Sequence, residues 1–542
     1  MFRSLARLKS LTLLLLAATL MVSPAVAAAS AMVQTSQGTV VGLSGAGVNM
    51  FLGIPFAAPP VGQLRFRPPQ PPAPWTSALD ASHYSKRSIQ GPPVSKDSIS
   101  EDCLYLNVFT PQKRSAHSLP VMVWIHGGGF IMGAGDLYDG SIIAAKGNVI
   151  VVTFNYRLGA LGFLSLPELD AESENGTSGN YGFLDQQAAL RWVQKNIGAF
   201  GGDPDNVTIF GESAGGHAVC AHLLAPGSKG LFQRAISQSG FSGRDIRNKT
   251  TAFSEGNKFV SKLGCTAGES CLKCLREKTA EAILSASPSF GAFGLVGDNQ
   301  ILPQAWIKSM GSGHFEHVPI IMGGTRDEGS IFVKKSGAKN GAPMSSQQYK
   351  TEISQRFGDK AEQVLKQYPI DACRTPYQVM AAVFTDGVFS SAIQRATRLM
   401  SRYTPVYAYE FDYVGSVSRS PYRSTPDLDY GVAHSSDNSY TFGQGLLGDQ
   451  PGPPLTADEI RVSDQMIGYW TRFAATGDPC GKAVDSNSKA DRRDKAPTWS
   501  QYDLTKDNVL LIDKTTTMGT IGARHKYDFW ESSGLLDRPM EP

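Results

Sequence analysis

A serine stands between glycines in the stretch Phe210–Ala218, which is FGESAGGHA. The residues Gly211–Gly215 fit the pattern G-x-S-x-G, and they follow an apolar, strand-like run, Asn206–Phe210. A sharp turn between a strand and a helix exposes such a serine, and small neighbours let the adjoining elements pass close by. A neutral hydroxyl needs a base, a group that orients the base, and donors for the oxyanion that forms. The pattern therefore predicts that Ser213 is a nucleophile.

A run of three glycines, HGGGF at positions 126–130, directly follows the apolar run Val121–Ile125. Consecutive glycines expose backbone N–H groups that a ligand can approach. The position after a strand is typical of the oxyanion loop of the HGGG type. The predicted oxyanion donors are the N–H groups of Gly128 and Gly129, together with that of Ala214 beyond the nucleophile.

The base is predicted by elimination. Where the chain order is serine, acid, histidine, and the acid follows the apolar run Val318–Met322, only His434 and His525 remain. His525 lies in the charged tail Arg524–Lys526, whereas His434 lies in a loop some way past the apolar run Val406–Tyr409. We therefore predict that His434 is the base.

Two earlier histidines have structural explanations. His217 comes one helical turn after Ser213 and is expected to pack within that helix, while His126 is expected to shape the glycine loop. For the acid, Asp327 and Glu328 both follow a buried strand, and the residues alone do not choose between them.

The elements that must position these residues alternate between strands and helices. Near-continuous apolar runs, typical of strands covered on both faces, occupy 121–125, 149–154, 207–210, 318–322 and 406–409. Leu184–Ile197 carries apolar residues at helical spacing. This pattern predicts an α/β fold with a doubly wound, mostly parallel central sheet and a helical excursion around residues 250–400. Pro55–Pro74 is expected to be an extended loop, and Lys482–Lys495 a surface insertion.

The N-terminus differs from the rest of the chain. Arg3, Arg7 and Lys9 precede a short apolar run, and small residues follow at Ala25–Ala29. This pattern predicts that residues 1–29 form a secretory signal peptide rather than a membrane anchor. We therefore expect a secreted or periplasmic protein with one catalytic domain, residues 30–542. Without those three basic residues the 51 Lys and Arg fall to 48, equal to the 48 Asp and Glu. A neutral chain gives no indication of nucleic acid or an anionic membrane as a partner.

Further motifs make the chain resemble the type B carboxylesterases, the α/β-hydrolase family that includes cholinesterases and some fungal lipases. The resemblance covers nearly all of the mature chain and rests on segments in addition to the two glycine motifs: Phe51–Ala57, Pro59–Gly62, Leu64–Phe66, Glu101–Asn107, Asn155–Arg157, Arg326–Ser330 and Trp470–Ala474.

The resemblance implies an α/β-hydrolase fold and a serine esterase that acts on small-molecule esters without a metal or organic cofactor. It assigns the acid to Glu328, the glutamate of the family's D-E-G motif, and supports His434 and the three oxyanion donors. It also implies that Glu212, beside the nucleophile, gives electrostatic support to the imidazolium.

The cysteines depart from the family pattern. In the family the cysteine that corresponds to Cys103 bridges to an upstream cysteine, but none of the seven cysteines precedes position 103. The segment Ile89–Asp102 also lacks aromatic residues, which argues against a cholinesterase and against a lipase with a lid. A soluble ester entering an open, lidless gorge fits better. Cys265 and Cys274 are implied as the family's second disulfide, with Cys271 as a close competitor.

The substrate is the least determined part of the prediction. Arg244 and Arg247 follow a strand that in this family reaches the acyl side. They either meet a carboxylated acyl group or lie in a solvated loop, and we favour the loop. The carboxylate reading would suit the fumonisin-type esterases, which remove tricarballylic acid from a polyol. An alternative of another class is a non-catalytic adhesion or binding homologue, although such relatives typically lose the serine or the histidine.

Overall fold

The computed structural model of the protein describes residues 29–538, except 93, 114–116, 241, 267, 269, 288–290, 292, 338–343, 372–373, 416–429, 448–449 and 482–496. The proposed signal peptide therefore lies outside the described residues apart from Ala29, and so does the polar stretch Lys482–Lys495. Among the described residues, no helix combines the length and apolarity that crossing a bilayer requires.

The strands of the described residues, in chain order, are β1 (Ala29–Gln34), β2 (Thr39–Gly45), β3 (Val48–Pro55), β4 (Leu79–Asp80), β5 (Arg87–Ser88), β6 (Ile99–Ser100), β7 (Tyr105–Pro111), β8 (Leu119–Ile125), β9 (Ile150–Phe154), β10 (Gly202–Glu212), β11 (Arg234–Gln238), β12 (Ile320–Thr325), β13 (Val406–Phe411), β14 (Leu446–Leu447), β15 (Gln450–Pro451), β16 (Val509–Ile512) and β17 (Thr517–Gly519). Four of them form two small separate pairs, β5 with β6 and β14 with β15.

The remaining strands form one sheet in the order β1-β2-β3-β7-β9-β8-β10-β11-β12-β13-β16-β17, with β4 paired to β2. Its centre, from β9 to β16, is parallel. The flanks β1-β2-β3-β7 and β17 are antiparallel. The doubly wound, mostly parallel sheet of the α/β-hydrolase fold is thus confirmed, and the carboxyl ends of its central strands share one edge.

The helices are α1 (Ser141–Gly147), α2 (Gly159–Phe163), α3 (Pro167–Glu172), α4 (Tyr181–Asn196), α5 (Ala214–Leu224), α6 (Lys249–Lys262), α7 (Cys271–Glu277), α8 (Ala280–Ala286), α9 (Trp306–Gly311), α10 (Ser330–Gly337), α11 (Ser346–Phe357), α12 (Ala361–Gln367), α13 (Pro376–Phe384), α14 (Ser391–Met400), α15 (Asn438–Phe442), α16 (Ala457–Thr476) and α17 (Tyr527–Ser532). Between α13 and α14 the chain forms a segment of π-helix, Thr385–Ser390, which we call the π turn.

Alternate residues of the central strands point into two cores, one on each face of the sheet. In β8, Val123 and Ile125 belong to the larger core, while Met122 and Trp124 belong to the other core, into which α16 also packs. All four side chains are fully buried. Burial on both faces explains why the strands are continuously apolar in sequence, as expected for a parallel sheet covered by helices.

Some strands and helices begin and end at residues that differ from the predicted ones. The strand predicted at 207–210 extends over Gly202–Glu212, and the helix predicted at 184–197 runs from Tyr181 to Asn196. Pro55–Pro74 contains one turn of 3₁₀-helix, Gly62–Leu64, within the expected loop. The antiparallel strands β1–β3 have no counterpart in the prediction. Buried residues in β2 and β3 are interspersed with partly exposed ones, so these strands lack the long apolar runs of the centre.

Candidate active site

Ser213 occupies a strained turn between β10 and α5. Its backbone has φ 57° and ψ −123°, a conformation that is costly for a residue with a side chain. The turn is held because the N–H of Ser213 donates to the carbonyl of Gln238, 2.9 Å away. A Cβ atom on Gly215 would lie 2.0 Å from the carbonyl oxygen of Ile125. The glycine in the motif is therefore required by the close passage of α5 over β8.

The glycine loop that follows β8 packs directly against this turn. A Cβ on Gly127 would lie 3.0 Å from the Cβ of Ser213. Gly128 has φ +102°, and a Cβ there would lie 2.3 Å from the carbonyl oxygen of Met132, so only glycine fits. His126 is buried and stacks on Tyr156 with ring centroids 4.3 Å apart. Burial lowers its pKa to about 4, which keeps it neutral at the base of the loop.

Glu328 and His434 form a buried hydrogen-bonded pair. Nδ1 of His434 contacts Oε2 of Glu328 in a short hydrogen bond. The other oxygen of Glu328, Oε1, accepts from the hydroxyl of Ser239 at 2.6 Å and from the N–H of Thr325 at 2.8 Å. Nε2 of His434 makes no hydrogen bond within the described part of the chain, although Oε1 of Glu212 lies 3.2 Å from it. Because Glu212 precedes Ser213, this free nitrogen lies beside the turn at Ser213.

Glu212 adds a second buried carboxylate to the imidazole. Its oxygens accept from the hydroxyl of Ser435 at 2.6 Å and from the amide of Asn438 at 3.3 Å. Burial raises the pKa of Glu212. Burial also opposes the charged form of His434, but the carboxylates of Glu212 and Glu328 outweigh it and raise the pKa of His434 to about 9. The imidazolium is therefore strongly stabilised at this position.

Two side chains in contact with His434 and two hydroxyls at the site were not predicted. The rings of Phe332 and Phe389 lie 5.2 and 4.8 Å from the imidazole centroid and give it apolar walls. Ser239 and Ser435, which donate to Glu328 and Glu212, both have positive φ, at 52° and 68°. Strained residues of this kind cluster at functional sites, but nothing in their sequence context indicates their backbone conformation.

Three residues that were not assigned as the acid or the base, Asp327, His217 and His525, contact other parts of the protein. Asp327 pairs with Arg326 at 2.9 Å and accepts from the N–H of Val432 at 2.8 Å, so it holds the loop that leads to His434. His217 packs against Trp306 with ring centroids 4.8 Å apart, and burial lowers its pKa to about 3. His525, placed in a charged tail by the sequence, is instead 3% exposed.

Arg244 and Arg247 have different surroundings. Arg244 is 8% exposed, so the solvated-loop interpretation is wrong for it, and its guanidinium donates to backbone carbonyls of Leu536 and Gly387. Those bonds favour a structural role over contact with an acyl carboxylate. Arg247 is half-buried and donates to the carbonyl of Gly294 at 2.9 Å. A Cβ on Gly294 would lie 3.4 Å from the ring of Phe130, which places Arg247 near the end of the glycine loop.

Among the described residues, one disulfide bond joins Cys265 to Cys274. Cys271, one helical turn before Cys274, is a buried thiol outside any disulfide of the described residues, as are Cys103 and Cys220. Burial raises the pKa of the Cys103 thiol to about 12, which disfavours the thiolate form. Within the described residues, no group of three His, Cys, Asp or Glu side chains is arranged to hold a metal ion.

Known proteins share this sequence and this fold. Residues 29–530 match the model of the Carboxylesterase family. A fumonisin B1 esterase from Sphingopyxis macrogoltabida is 36% identical over 459 residues, which cover 82% of each chain. A para-nitrobenzyl esterase from Bacillus subtilis (strain 168) is 37% identical over 510 residues, 90% of this chain and 95% of the other. A solved PNB esterase structure, 36% identical, covers 92% of this chain and 99% of its own with a TM-score of 0.75.

The fold and these relatives define a carboxylic ester hydrolase of the α/β-hydrolase class. The chain belongs to the carboxylesterase family, since the match spans most of its length. Its relatives are named as esterases, which disfavours the alternative of a non-catalytic binding homologue.

The raised pKa of His434 predicts a distinctive pH dependence. A base must be neutral to accept a proton, so kcat/KM should rise with pH until His434 is deprotonated, well above pH 6.5, where histidine ordinarily titrates. Glu212→Gln removes one of the two charges that raise this pKa. We expect the acidic limb of the kcat/KM profile to move down by about one pH unit or more.

The profile is measured with a neutral ester whose own chemistry does not titrate in this range. Glu459→Gln is the matched control, because Glu459 is also a fully buried glutamate but caps the start of α16. An acidic limb that stays in place in Glu212→Gln, or that moves equally in Glu459→Gln, would contradict the assignment of the limb to His434.

Proposed function

We propose that this protein is a secreted or periplasmic serine esterase that forms an acyl-enzyme on Ser213, with His434 as the base and Glu328 as its orienting acid. The observation that carries the proposal is the buried Glu328–His434 pair, whose unbonded Nε2 lies beside the turn that presents Ser213. The arrangement is that of a nucleophile, a base and an orienting group.

The proposed reaction has two halves. Ser213 attacks the ester carbonyl while His434 accepts the hydroxyl proton, and Glu328 stabilises the imidazolium. The N–H groups of Gly128, Gly129 and Ala214 stabilise the oxyanion. His434 then gives its proton to the departing alcohol. Water, deprotonated by His434, then attacks the acyl-enzyme. The bond between the acyl carbon and the Ser213 oxygen breaks, His434 returns the proton to that oxygen, and the carboxylic acid is released.

Secretion is supported by the basic and apolar N-terminal pattern at 1–29 and by the disulfide bond between Cys265 and Cys274, since disulfides persist in oxidising compartments. Sequencing the N-terminus of the mature protein tests this part of the proposal. A mature chain that begins at Met1 would overturn it.

For the substrate, we propose soluble esters that enter an open, lidless gorge. The absence of aromatic residues from Ile89–Asp102 supports this choice, because a choline site needs an aromatic face. The test is a panel of esters that vary in acyl length and charge, assayed below and above their solubility limit. A sharp increase of rate at the limit, as an interface forms, would contradict a lidless gorge.

Polycarboxylate esters, such as tricarballylates, are a second candidate that one contact favours. Arg247 lies against Gly294, which packs on Phe130 at the end of the glycine loop, and a 36% identical relative is named a fumonisin B1 esterase. An arginine near the acyl side would bind a carboxylate.

Arg247→Gln should then lower kcat/KM for a tricarballylate ester by about tenfold or more while sparing para-nitrophenyl acetate. An equal effect on both esters, or faster hydrolysis of neutral esters by the wild type, would remove this candidate.

A further inference from the structure

A buried ionic cluster lies outside the residues that the reaction uses. Nδ1 of His525 is 2.7 Å from Asp386, and its Nε2 is 2.5 Å from Glu410. All three residues are at most 3% exposed. An imidazole that donates from both nitrogens carries both protons, so His525 is an imidazolium between two carboxylates. Burial opposes this charge, but the two carboxylates raise the pKa of His525 to about 10.

The cluster is closed on both sides by further partners. Arg524 pairs with the other oxygen of Glu410, and the hydroxyl of Tyr368 donates to the other oxygen of Asp386 at 2.6 Å. Both carboxylates are therefore fully engaged, and His525 is the cation that they share. Removing it would leave two buried negative charges facing each other, which is strongly unfavourable.

Asp386 lies in the π turn, Thr385–Ser390, and this turn contacts His434 and Gly329, the residue that follows Glu328. The hydroxyl of Thr385 accepts from the N–H of Gly329 at 2.8 Å, directly after Glu328. The ring of Phe389 lies 4.8 Å from the imidazole of His434. Insertions of this kind in helices occur frequently at functional sites. The position of the π turn thus bears on the geometry of Glu328 and His434.

The C-terminal segment, from α17 to Arg538, holds the π turn at two more points. Arg244 donates to the carbonyl of Gly387 in the turn and to that of Leu536 in the segment, the latter at 3.0 Å. A Cβ on Gly387 would lie 2.5 Å from the indole of Trp530, and that indole donates to Tyr368 at 2.7 Å. The segment, the turn and the acid–base pair are therefore in continuous contact.

We propose that His525 is a positioning residue for the Glu328–His434 pair, which it holds in place through Asp386 and the π turn. The proposal rests on the roles assigned above to Ser213, Glu328 and His434. Without the imidazolium, Asp386 loses its hydrogen bond to His525. The π turn then no longer holds Phe389 against His434 and Thr385 against Gly329. A displacement of the base by about 1 Å is enough to lower the rate by about 100-fold.

The first test compares His525→Gln with His222→Gln. His222 is an equally buried histidine whose nitrogens contact Ser228 at 2.8 Å and Gln186 at 3.1 Å, so it controls for loss of a buried histidine. With para-nitrophenyl acetate, we expect His525→Gln to lower kcat by about 100-fold with KM within about threefold. The rate of Ser213 labelling by an organophosphate should fall in parallel. His222→Gln should lower the melting temperature but keep kcat within about threefold of wild type.

The outcomes separate this proposal from the proposed function. If the wild type itself is not labelled at Ser213, the proposed function fails. If the wild type is labelled and folded His525→Gln keeps kcat within about twofold, the positioning role is overturned. Should His525→Gln fail to fold, Thr385→Val decides, because it removes the hydroxyl that contacts Gly329 and leaves the ionic cluster intact. It should lower kcat by about tenfold, and an unchanged kcat would overturn the proposal.

Discussion

Ser213→Ala is expected to lower kcat by about five to six orders of magnitude, because removal of the proposed nucleophile leaves only the proposed oxyanion donors and substrate binding. The serine lies on the strained turn after β10 and directly follows Glu212, whose Oε1 is 3.2 Å from Nε2 of His434. Alanine should keep the turn, since the hydrogen bond that holds it comes from the backbone N–H of residue 213. The measurement is the rate of para-nitrophenyl ester hydrolysis, combined with mass spectrometry after organophosphate labelling.

Ser165→Ala is a matched control for this change. Ser165 is buried, and its hydroxyl forms hydrogen bonds only with Ser178 among the described residues, at 3.1 Å for the two hydroxyls. It should retain wild-type activity and labelling. If Ser213→Ala keeps more than about one hundredth of the wild-type kcat, or if the label is found on another serine, Ser213 is not the nucleophile.

Glu328→Gln is expected to lower kcat by about 10⁴-fold through the wrong tautomer of His434. Ser239 and Thr325 both donate to Oε1 of Glu328, so the glutamine oxygen should take that place. Its NH₂ group would then face Nδ1 of His434 and require a lone pair there. The proton would move to Nε2, and the imidazole could not accept the proton of Ser213.

Asp327→Asn decides between the two carboxylates that the sequence left open. Asp327 accepts from the N–H of Val432 and pairs with Arg326, and an asparagine oxygen can still accept the first bond. We expect kcat to fall by less than about tenfold, with the main effect on thermal stability. Rates for both variants, measured on protein with native circular dichroism, give the comparison. A larger loss in Asp327→Asn than in Glu328→Gln would transfer the orienting role to Asp327.

The central sheet was predictable because burial on both faces determines the residue type at each position of a strand. A parallel strand that is covered on both faces must be apolar at nearly every position, and Leu119–Ile125 satisfies this rule fully. The turn at Ser213 was predictable for a related reason. The carbonyl of Ile125 lies so close to Gly215 that no side chain fits, and such a requirement leaves glycine in the sequence.

Other parts of the site depend on contacts between residues far apart in the chain, and these leave no local pattern. His525 stands between Arg524 and Lys526, which indicates a solvated tail. Its burial depends on Asp386 and Glu410, more than a hundred residues earlier in the chain. The exposure of Arg244 was predicted wrongly for the same reason, since its hydrogen-bond partners include carbonyls near the C-terminal end. Local charge predicts exposure well only where no distant opposite charge or carbonyl is available.

The groups assigned to the reaction follow one another along the chain as oxyanion loop, serine, acid and base, after β8, β10, β12 and β13 respectively. A chain emerges from the ribosome with its N-terminal residues first. A nascent or prematurely terminated chain that stops before position 434 would therefore carry the hydroxyl and its anion site with nothing to withdraw the proton. With the roles proposed above, hydrolysis requires the chain to have been synthesised past His434 and β13 to have joined the sheet.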